Sequence, residues 1–380
     1  MYSAEARFSP CPLCSDLSAL CVKSFLSLAS KPSTKFRIIL SSPMTTHIGL
    51  IGSGNISQTH ARAARAIPNV QIAAIYGTNP QTVTRLATEY RAMPYNDFAA
   101  FLAHKPLDLV ILGTPSGLHA QQGIAAAQHG LHVLTEKPID ITTKNADALI
   151  AAADKANVKL AVIFQDRLKP NIQRLKHWLD RGLLGKPLLV DARVKWYRPL
   201  DYYSNSKWRG TFALDGGGAL INQAIHTVDL LLWLLGDVSR VQARTSTVLH
   251  KIEAEDTAVA TLEFANGAVG TLLATTAAYP GYPRRVEITG TEGTVILEHD
   301  RIIAADLRNP PPDFAAITSG DSNESASSAA VTDFSGHKAI LEDFLHAIAN
   351  NTQPICNGRE GRRSLALVES IYNSARSSTV

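Results

Sequence analysis

Cysteine is scarce in this chain of 380 residues, and its placement argues against a disulfide framework. Only four cysteines occur; three lie within the first 21 residues, and Cys356 stands alone near the other end. Cys11 and Cys14 have the CxxC spacing of zinc and redox sites, but no second pair or histidine follows at a ligand distance. We therefore expect neither structural disulfides nor a bound metal.

The chain also lacks clustered charge and long apolar runs. Charged residues make up 18% of it and the formal net charge is +4, with lysine and arginine scattered along the sequence. No basic patch indicates nucleic acid or acidic lipid as a partner. No run reaches the roughly 18 apolar residues of a membrane span. We expect a soluble, cytoplasmic protein with a small neutral or anionic partner and no membrane contact.

The first 43 residues differ from the rest of the chain. They are rich in serine, poor in acidic residues and without clear periodicity, and the run from Met44 resembles the start of a domain. A secretory signal and a transit peptide are alternatives, although Asp16 and Lys23 interrupt the apolar patch that a signal segment needs. We favour a disordered extension over 1–43, or a start codon placed too far upstream.

A glycine-rich turn opens the first domain. The run THIGLIGSG is a short apolar strand closed by glycines, and ISQTHARAARAI has helical spacing. Gly52, Gly54 and Ser57 occupy the three small-residue positions of GxGxxG. Gly52 would make the turn and Gly54 would let a pyrophosphate approach the helix N-terminus, with Asn55 and Ile56 beside it.

Strands and helices then alternate, which predicts an α/β fold with a parallel, doubly wound Rossmann sheet over 44–165. The predicted strands include VQIAAIYG, LDLVILGTP, HVLTEKP and KLAVIFQ, and helices are predicted over 80–90 and about 119–129. Such sheets bind ligands beyond the carboxyl ends of their strands. The cofactor contacts expected there are Gly77, Thr78, Asn79, Thr114, Pro115, His119, Glu136, Lys137 and Gln165.

The second strand carries no acid where NAD-dependent proteins hold the adenosine ribose. Its end reads Tyr76, Gly77, Thr78 and Asn79. An acid at this position would repel a 2′-phosphate, so its absence favours NADP over NAD, although no neighbouring lysine or arginine fixes the choice. A Rossmann-like domain that binds no dinucleotide is the alternative.

The stretch GGGALINQAIHTVD at 216–229 places polar groups on an apolar helix. If the run is helical, Asn222, His226 and Asp229 lie at i, i+4 and i+7 and share one stripe. Burying such groups costs about 1–3 kcal/mol each unless they are hydrogen-bonded. The stripe therefore predicts either a satisfied buried network or a row of side chains facing a cavity.

Three motifs in order, GLIGSGNIS, EKP and GGGALINQAIH, resemble the Gfo/Idh/MocA family of dinucleotide-dependent oxidoreductases. The resemblance runs from Thr46 to the C-terminus. It implies a Rossmann domain followed, over 166–380, by an α/β domain with a large open, mainly antiparallel sheet that commonly forms dimer or tetramer contacts. Strand-like runs separated by turns such as Asn266-Gly267 agree with that sheet. The polar segment at about 308–336 is predicted to be a mobile loop.

The resemblance also implies site residues. Lys137 would lie beside the nicotinamide and the substrate, and His226 would be the acid/base, because imidazole titrates near neutral pH. Asn222 stands where many members carry aspartate; it can bind a hydroxyl but cannot act as a base. Asp229 either orients the imidazole or belongs to a structural network. Candidate substrate contacts are Arg167, Tyr197, Trp208, Arg209, Asn222 and His226.

Other aromatic and basic residues crowd the segment before the triple glycine, including Trp196, Arg198, Tyr202 and Tyr203. Such side chains suit a sugar or polyol, or else fill the space between domains. The implied function is an NAD(P)-dependent oxidoreductase acting on a carbinol of a sugar, polyol or sugar derivative, as a homodimer or homotetramer through the C-terminal sheet.

Two other function classes are open. One is a glycoside hydrolase that recycles a bound NAD, which differs from a dehydrogenase in showing no net nicotinamide turnover. The other is a non-catalytic dinucleotide-binding sensor. The presence of both Lys137 and His226 argues against the sensor, since a sensor needs a pocket but no proton path.

Overall fold

The computed structural model of the protein describes residues 45–311 and 333–377. The predicted extension at 1–43, including Cys11 and Cys14, lies outside the described residues. Most of the predicted loop at 308–336 lies outside them as well. Its last two positions, Ser335 and Gly336, begin a helix instead.

Six parallel strands form the first sheet, in the spatial order β3-β2-β1-β4-β5-β6. The order reverses between β1 and β4, and doubly wound sheets bind ligands at this point, beyond the carboxyl ends of the strands. The predicted Rossmann sheet is confirmed. Its strands are β1 (Thr46–Ile51), β2 (Val70–Tyr76), β3 (Met93–Tyr95), β4 (Leu109–Leu112), β5 (His132–Thr135) and β6 (Leu160–Val162).

Helices cover both faces of this sheet, and their boundaries follow local sequence signals. The helix at 80–90 has proline in its first turn, and the side chain of Asn79 caps it by accepting hydrogen bonds from the backbone N–H groups of Gln81 (3.0 Å) and Thr82 (3.2 Å). It ends where Arg91 takes a left-handed conformation. The helices are α1 (Asn55–Arg65), α2 (Pro80–Tyr90), α3 (Phe98–Leu102), α4 (His119–Gln128) and α5 (Thr143–Lys155).

Seven strands form the second sheet, in the order β13-β12-β11-β7-β10-β9-β8. Only β7 and β10 pair in parallel; the other pairs are antiparallel, as predicted. Strand β13 was not predicted from the sequence, because it is an edge strand with weak alternation of buried and exposed residues. The strands are β7 (Pro187–Lys195), β8 (Val238–Ser246), β9 (Thr257–Phe264), β10 (Val269–Thr275), β11 (Arg285–Gly290), β12 (Gly293–Glu298) and β13 (Arg301–Leu307).

One face of the second sheet is buried and the other is exposed. Along β9, Ala258, Ala260 and Leu262 are buried, whereas Val259 and Thr261 between them are exposed. This is the period-two alternation expected when helices cover only one face. The remaining helices are α6 (Pro170–Asp180), α7 (Leu200–Ser204), α8 (Ile225–Leu235), α9 (Ser335–Ala349) and α10 (Gly358–Ser377). Among the described helices, none has the length and apolar character that crossing a bilayer requires.

The last two helices connect the two sheets. Ile340, Leu341 and Phe344 of α9 belong to the same buried cluster as Ile48 and Leu50 of β1, so the end of the chain completes the core of the first sheet. The start of α10 packs closely against β6, and the described part of the chain after β13 therefore belongs to both halves. The domain boundary between 44–165 and 166–380 stays a prediction; α9 and α10 pack against the first sheet although they follow this boundary in the chain.

Candidate active site

An open cleft of about 1460 Å³ lies beyond the carboxyl ends of β1, β2, β4 and β5. The opposite wall comes from the segment between β7 and α8 and from the loops around Arg284 and Asp300. The cleft brings together most of the predicted site residues. Those lining it are Gly52, Gly54, Asn55, Ile56, Gly77, Thr78, Asn79, Thr114, Pro115, Glu136, Lys137, Gln165, Trp208, Arg209, Asn222 and His226.

The glycine-rich turn has the geometry of a phosphate-binding site. Gly52 has a φ of +117°, and a Cβ there would lie 2.7 Å from the carbonyl oxygen of Gly113. Gly54 faces open space, because nothing lies within 4 Å of the position its Cβ would take. Helix α1 begins beside it with no acidic residue and no side-chain cap in its first turn. Its N–H groups and dipole are thus available to an anion, and the turn fits the pyrophosphate of a dinucleotide.

Ser57 replaces the third glycine of the fingerprint. It is buried on α1, and its Oγ lies about 3.0 Å from the positions that Cβ atoms on Gly52 and Gly113 would take. A larger side chain would separate the helix from the strands at this point. Serine therefore meets the packing requirement that glycine meets in the usual motif.

The end of the cleft at β2 is formed by Tyr76, Gly77, Thr78, Asn79 and Phe98. Within the described chain, neither a carboxylate nor a lysine or arginine lines this end. The Oδ1 atom of Asn79 is already bonded to the backbone of α2. The residues here therefore include neither an acidic residue that would select NAD nor a lysine or arginine that would select NADP.

His119 is not one of the lining residues, although it was predicted to contact the cofactor. It is buried; its Nδ1 lies 2.8 Å from the carbonyl oxygen of Pro138 and its Nε2 lies 3.0 Å from that of Thr114. The ring connects the loops after β4 and β5. His119 therefore lies below the cleft, which corrects the predicted cofactor contact. Its two ring nitrogens contact the backbone of Pro138 and Thr114, and these two residues line the cleft.

Lys137 links the two walls of the cleft. Its Nζ donates a hydrogen bond of 2.7 Å to the carbonyl oxygen of Asn222. Burial lowers its pKa, with Arg198 and Arg209 lowering it further and the carboxylates of Glu136 and Asp215 opposing the shift. An ammonium group in this environment can donate to a substrate oxygen and stabilise negative charge that develops there.

His226 lies at the start of α8 with its imidazole in the cleft. Its Nδ1 is buried without a hydrogen-bond partner, and it lies 3.9 Å from Oδ2 of Asp166. Burial lowers the pKa of His226 to about 3, and the charges of Lys137 and Arg284 add to this effect. The imidazole is therefore neutral at neutral pH and able to accept a proton.

Asp166 is the carboxylate beside His226, and it was not among the predicted site residues. It receives a hydrogen bond of 2.8 Å from Arg284 Nη1, and Lys169 Nζ lies 3.1 Å from its Oδ1. Burial alone would raise its pKa, but Arg284, Lys169 and His226 hold the pKa of Asp166 well below its usual range. A permanent negative charge therefore lies next to the imidazole. Arg284 is 118 residues away in the chain, so no local pattern could have indicated this pair.

The segment before α8 is not the regular helix that the sequence predicted. Ala219–Ala224 form a π-helical segment, and only from Ile225 is the helix of the α type. Glu255 binds the start of this segment, because its carboxylate accepts hydrogen bonds from the N–H groups of Gly218 (3.1 Å) and Leu220 (2.8 Å). A Cβ on Gly218 would lie 1.8 Å from the Glu255 carbonyl oxygen, so glycine is required at this approach.

Asn222 keeps its side chain in the cleft through contacts with its neighbours. Its Nδ2 donates to Oδ1 of Asp215 at 2.6 Å, and its Oδ1 accepts from Nε2 of Gln223 at 2.9 Å. Asp215 also accepts from the N–H of Gly210, and burial raises the pKa of this aspartate to about 6. Many members of the resembled family carry a carboxylate at position 222. Here Asn222 takes that position, and the nearest carboxylate described is that of Asp215, to which Asn222 is hydrogen-bonded.

Asp229 does not face His226, and Arg167 does not face the cleft. The two form a buried bidentate ion pair, with Nε and Nη2 of Arg167 at 2.8 and 2.7 Å from the carboxylate of Asp229. Arg167 is only 1% exposed and also donates to Glu360, while Ser364 donates to Asp229. Of the two interpretations of Asp229, the geometry is that of the structural network. The geometry does not support the predicted substrate contact of Arg167, because its guanidinium points toward α8 and α10.

Tyr197 also lies outside the cleft lining. It forms a backbone bridge with Ala277, and its ring packs edge-on against Tyr279 with the ring centres 5.3 Å apart. Its neighbours Trp196 and Arg198 line the cleft instead. Successive side chains of an extended segment point to opposite sides. Either Tyr197 or its two neighbours could therefore face the cleft, but not all three.

Glu136 belongs to a buried cluster with two histidines. Its Oε1 lies 3.0 Å from Nε2 of His60 and 3.5 Å from Nε2 of His337. These three side chains could also hold a metal ion, since their ligand atoms lie within 4.8 Å of one another. The direct contacts already pair the carboxylate with its neighbours; the absence of a bound metal stays a prediction.

Comparison with known proteins agrees with this fold and cleft. The family described as "Oxidoreductase family, NAD-binding Rossmann fold" matches residues 46–164, and the "GFO/IDH/MocA C-terminal domain" matches residues 172–296. Among curated proteins, the chain is 29% identical to the uncharacterized oxidoreductase YrbE of Bacillus subtilis, over 82% of this chain and 89% of that one. It is also 29% identical to the D-apiose dehydrogenase of Paraburkholderia graminis, over 86% and 87%.

Among solved structures, it resembles the WlbA dehydrogenase from Bordetella pertussis, crystallised in complex with NADH and UDP-GlcNAcA. The two share 35% identity with a TM-score of 0.81, over 88% of this chain and 96% of the other. Both family domains match in the expected order, and they meet at the cleft described above. The chain therefore belongs to the GFO/IDH/MocA family of oxidoreductases, with an NAD-binding Rossmann domain.

Proposed function

We propose that this protein is an NAD(P)-dependent dehydrogenase or reductase that transfers a hydride between nicotinamide and a carbinol carbon of a sugar, polyol or sugar derivative. One observation carries the proposal: a neutral imidazole (His226) and a buried ammonium group (Lys137) line the same cleft as the Gly54 turn. Together they supply a proton acceptor and a hydrogen-bond donor where a dinucleotide would end.

The residues around the first sheet would hold the cofactor. Gly52 and Gly54 would admit its pyrophosphate to the N-terminus of α1, and Gly77 to Asn79 would lie along its adenosine. Thr114, Pro115 and Glu136 at the ends of β4 and β5 would border the nicotinamide. When bound, the nicotinamide supplies the acceptor or the donor of the hydride.

The proton moves through this chain's own side chains. His226 takes the proton of the substrate hydroxyl during oxidation and returns it during reduction. Asp166 stabilises the imidazolium that forms, because its carboxylate lies 3.9 Å from Nδ1. Lys137 donates a hydrogen bond to the reacting oxygen, and Asn222, which cannot take a proton, holds a neighbouring hydroxyl. This division of roles rests on the neutral state of His226 in its buried position.

The substrate class is supported by the relatives. One relative is named a D-apiose dehydrogenase and another was crystallised with UDP-GlcNAcA. Trp196, Tyr202 and Trp208 line the substrate side of the cleft here, and aromatic faces suit the apolar faces of a sugar ring.

The test is to follow nicotinamide absorbance with NAD and NADP in parallel, across sugars, inositols, sugar acids and nucleotide sugars. Net formation of reduced nicotinamide with one substrate class would support the dehydrogenase. Cofactor binding without net reduction on any of them would instead indicate a hydrolase that recycles its cofactor or a non-catalytic sensor.

Cofactor choice can be tested at the end of β2. NADP was favoured from the absence of an acid, and this preference stays a prediction. Thr78→Asp would place a carboxylate where a 2′-phosphate would lie, and we expect it to raise the KM for NADP about tenfold, as charge repulsion of about 1.4 kcal/mol would. Thr78→Asn has the same shape without the charge and serves as the control. An equal effect of both variants, or none on NADP, would contradict the placement of the adenosine.

The exposed face of the second sheet is our proposed contact between copies of the chain. Leu189, Val259 and Val269 are 53%, 45% and 50% exposed there, and Leu189 and Val269 are direct neighbours on paired strands. Such an apolar patch on an open sheet is typical of an oligomer interface.

By light scattering, we expect the protein at two or four times its chain mass of 40.9 kDa. Val259→Glu with Val269→Glu should yield monomers, whereas Met93→Glu, on the first sheet, should not. A monomeric wild type would contradict the assignment.

A further inference from the structure

Two arginines on the substrate side of the cleft have no acidic partner. Arg198, which is only 5% exposed, donates to Oε1 of Gln223 at 2.9 Å and to the carbonyl oxygen of Tyr197 at 3.3 Å. Arg209 donates to the carbonyl oxygen of Tyr202 at 3.4 Å. The Nε atom of each is buried without a hydrogen-bond partner. Each guanidinium therefore has donors left over and a charge that no carboxylate neutralises within 4 Å in the described chain.

Aromatic rings hold both guanidinium groups in place. The ring centre of Tyr202 lies 5.5 Å from Cζ of Arg198 and 4.3 Å from Cζ of Arg209. Trp196 lies 5.2 Å from Arg198, and Trp208 lies 5.4 Å from Arg209. Rings at these distances stabilise the cations and restrict the planes of the forks. The two groups are thus oriented before any ligand arrives.

The charged side chains around His226 are paired, unlike those of this corner. Around His226, Arg284 and Lys169 are paired with Asp166 and Asp300. Asp215 lies near this corner, but its carboxylate already accepts hydrogen bonds from Gly210 and Asn222. Burial lowers the pKa of Arg198, and the charge of Arg209 lowers it further. The free protein therefore maintains an unfavourable excess of positive charge that an anion would relieve.

The corner adjoins the reacting residues rather than the glycine-rich turn. Gln223 bonds both Arg198 and the hydroxyl of Tyr202, and it directly follows Asn222, whose carbonyl oxygen accepts from Lys137. A group bound between the arginines would thus belong to the substrate. It would not be the pyrophosphate that the Gly54 turn receives.

We infer that the substrate carries an oxyanion, a carboxylate or a phosphate, which Arg198 and Arg209 bind together. Two guanidinium forks match the oxygens of either group in shape and charge. The substrate class is therefore a sugar acid or a phosphorylated sugar, with nucleotide sugars included in the second group. This inference rests on the proposed function, because it assumes that the reacting carbinol lies at Lys137 and His226.

Binding can be tested without turnover. With the cofactor at saturation, so that the Gly54 turn is occupied, thermal unfolding would be followed with inorganic phosphate, glucuronate, and glucose or chloride as neutral and ionic-strength controls. We expect phosphate or glucuronate to stabilise the wild type, and Arg209→Met to weaken the apparent affinity about 10- to 100-fold, as loss of a charge-assisted bond does. Arg181→Met, an exposed site outside the cleft, should behave as the wild type.

The comparison of anions identifies the substrate group that the two arginines bind. Stabilisation by glucuronate alone indicates a carboxylate, and stabilisation by phosphate alone indicates a phosphate. Equal responses of wild type and Arg209→Met, or no response to either anion, would overturn the inference. Arg198→Met serves as the second variant, and loss of anion response in a folded protein would support the shared site. If the anion response follows Arg209 but no sugar is turned over, the proposed function fails while the anion site stands.

Discussion

Replacing His226 with alanine is expected to lower kcat by about 10²- to 10⁴-fold, the usual contribution of a positioned acid or base. The imidazole is the neutral proton acceptor of the cleft, and its neighbour Asp166 is permanently charged and paired with Arg284. The cofactor should bind nearly as well as before, because His226 lies on the wall opposite the glycine-rich turn. Steady-state kinetics and a cofactor titration on the same preparation measure both quantities.

The matched control is His177→Ala, which removes an exposed histidine on α6 outside the cleft. It should keep wild-type turnover. The wild-type pH profile offers a second check. Since burial lowers the pKa of His226 to about 3, the imidazole stays unprotonated from mildly acidic to neutral pH and its titration should not reduce kcat/KM there. A His226→Ala variant with wild-type kcat would remove the mechanism.

Arg167→Met is expected to lower the free energy of unfolding by about 3–5 kcal/mol, the range observed when one partner of a buried ion pair is removed. Asp229 would then remain buried beside Ser364 with its cationic partner gone. The measurement is urea unfolding, compared with wild type under the same conditions. Arg167 was predicted from sequence to bind substrate, so this experiment also decides between the two roles.

The control is the double variant Arg167→Met with Asp229→Leu. Replacing both members of a buried pair with apolar groups of similar size is often close to neutral, so the double variant should recover much of the lost stability. A single variant with wild-type stability and a raised KM for substrate would contradict the structural role and restore the contact predicted from sequence.

Local patterns were sufficient for the fold. The first sheet is a series of short apolar strands between helices, and the turn before α2 contains its own cap in Asn79 and Pro80. The glycine spacing from Gly52 to Ser57 likewise indicated the phosphate-binding turn, because all the residues that shape this turn lie within a few positions of one another. Features of this kind depend on backbone conformation and periodicity, which the sequence displays directly.

The electrostatics of the site could not be predicted in the same way. Asp166 is paired with Arg284, and the π-helical segment before His226 is hydrogen-bonded at its start by Glu255, more than 30 residues further along the chain. Asp229 was placed on the stripe of His226 by its spacing, yet Arg167 attracts it to the opposite side. The partners of these side chains are set by tertiary contacts between distant segments, and helical periodicity does not predict such contacts.

In the proposed reaction, a hydride leaves or reaches a substrate carbon in this cleft, and His226 takes or returns the proton. The most direct measurement uses a substrate carrying deuterium on the carbinol carbon, followed by mass analysis of the nicotinamide and of the sugar product. We expect net turnover with deuterium on the reduced nicotinamide and a ketone or aldehyde as product. Deuterium that returns to the sugar, without accumulation of reduced cofactor, would contradict a dehydrogenase and indicate a recycled cofactor.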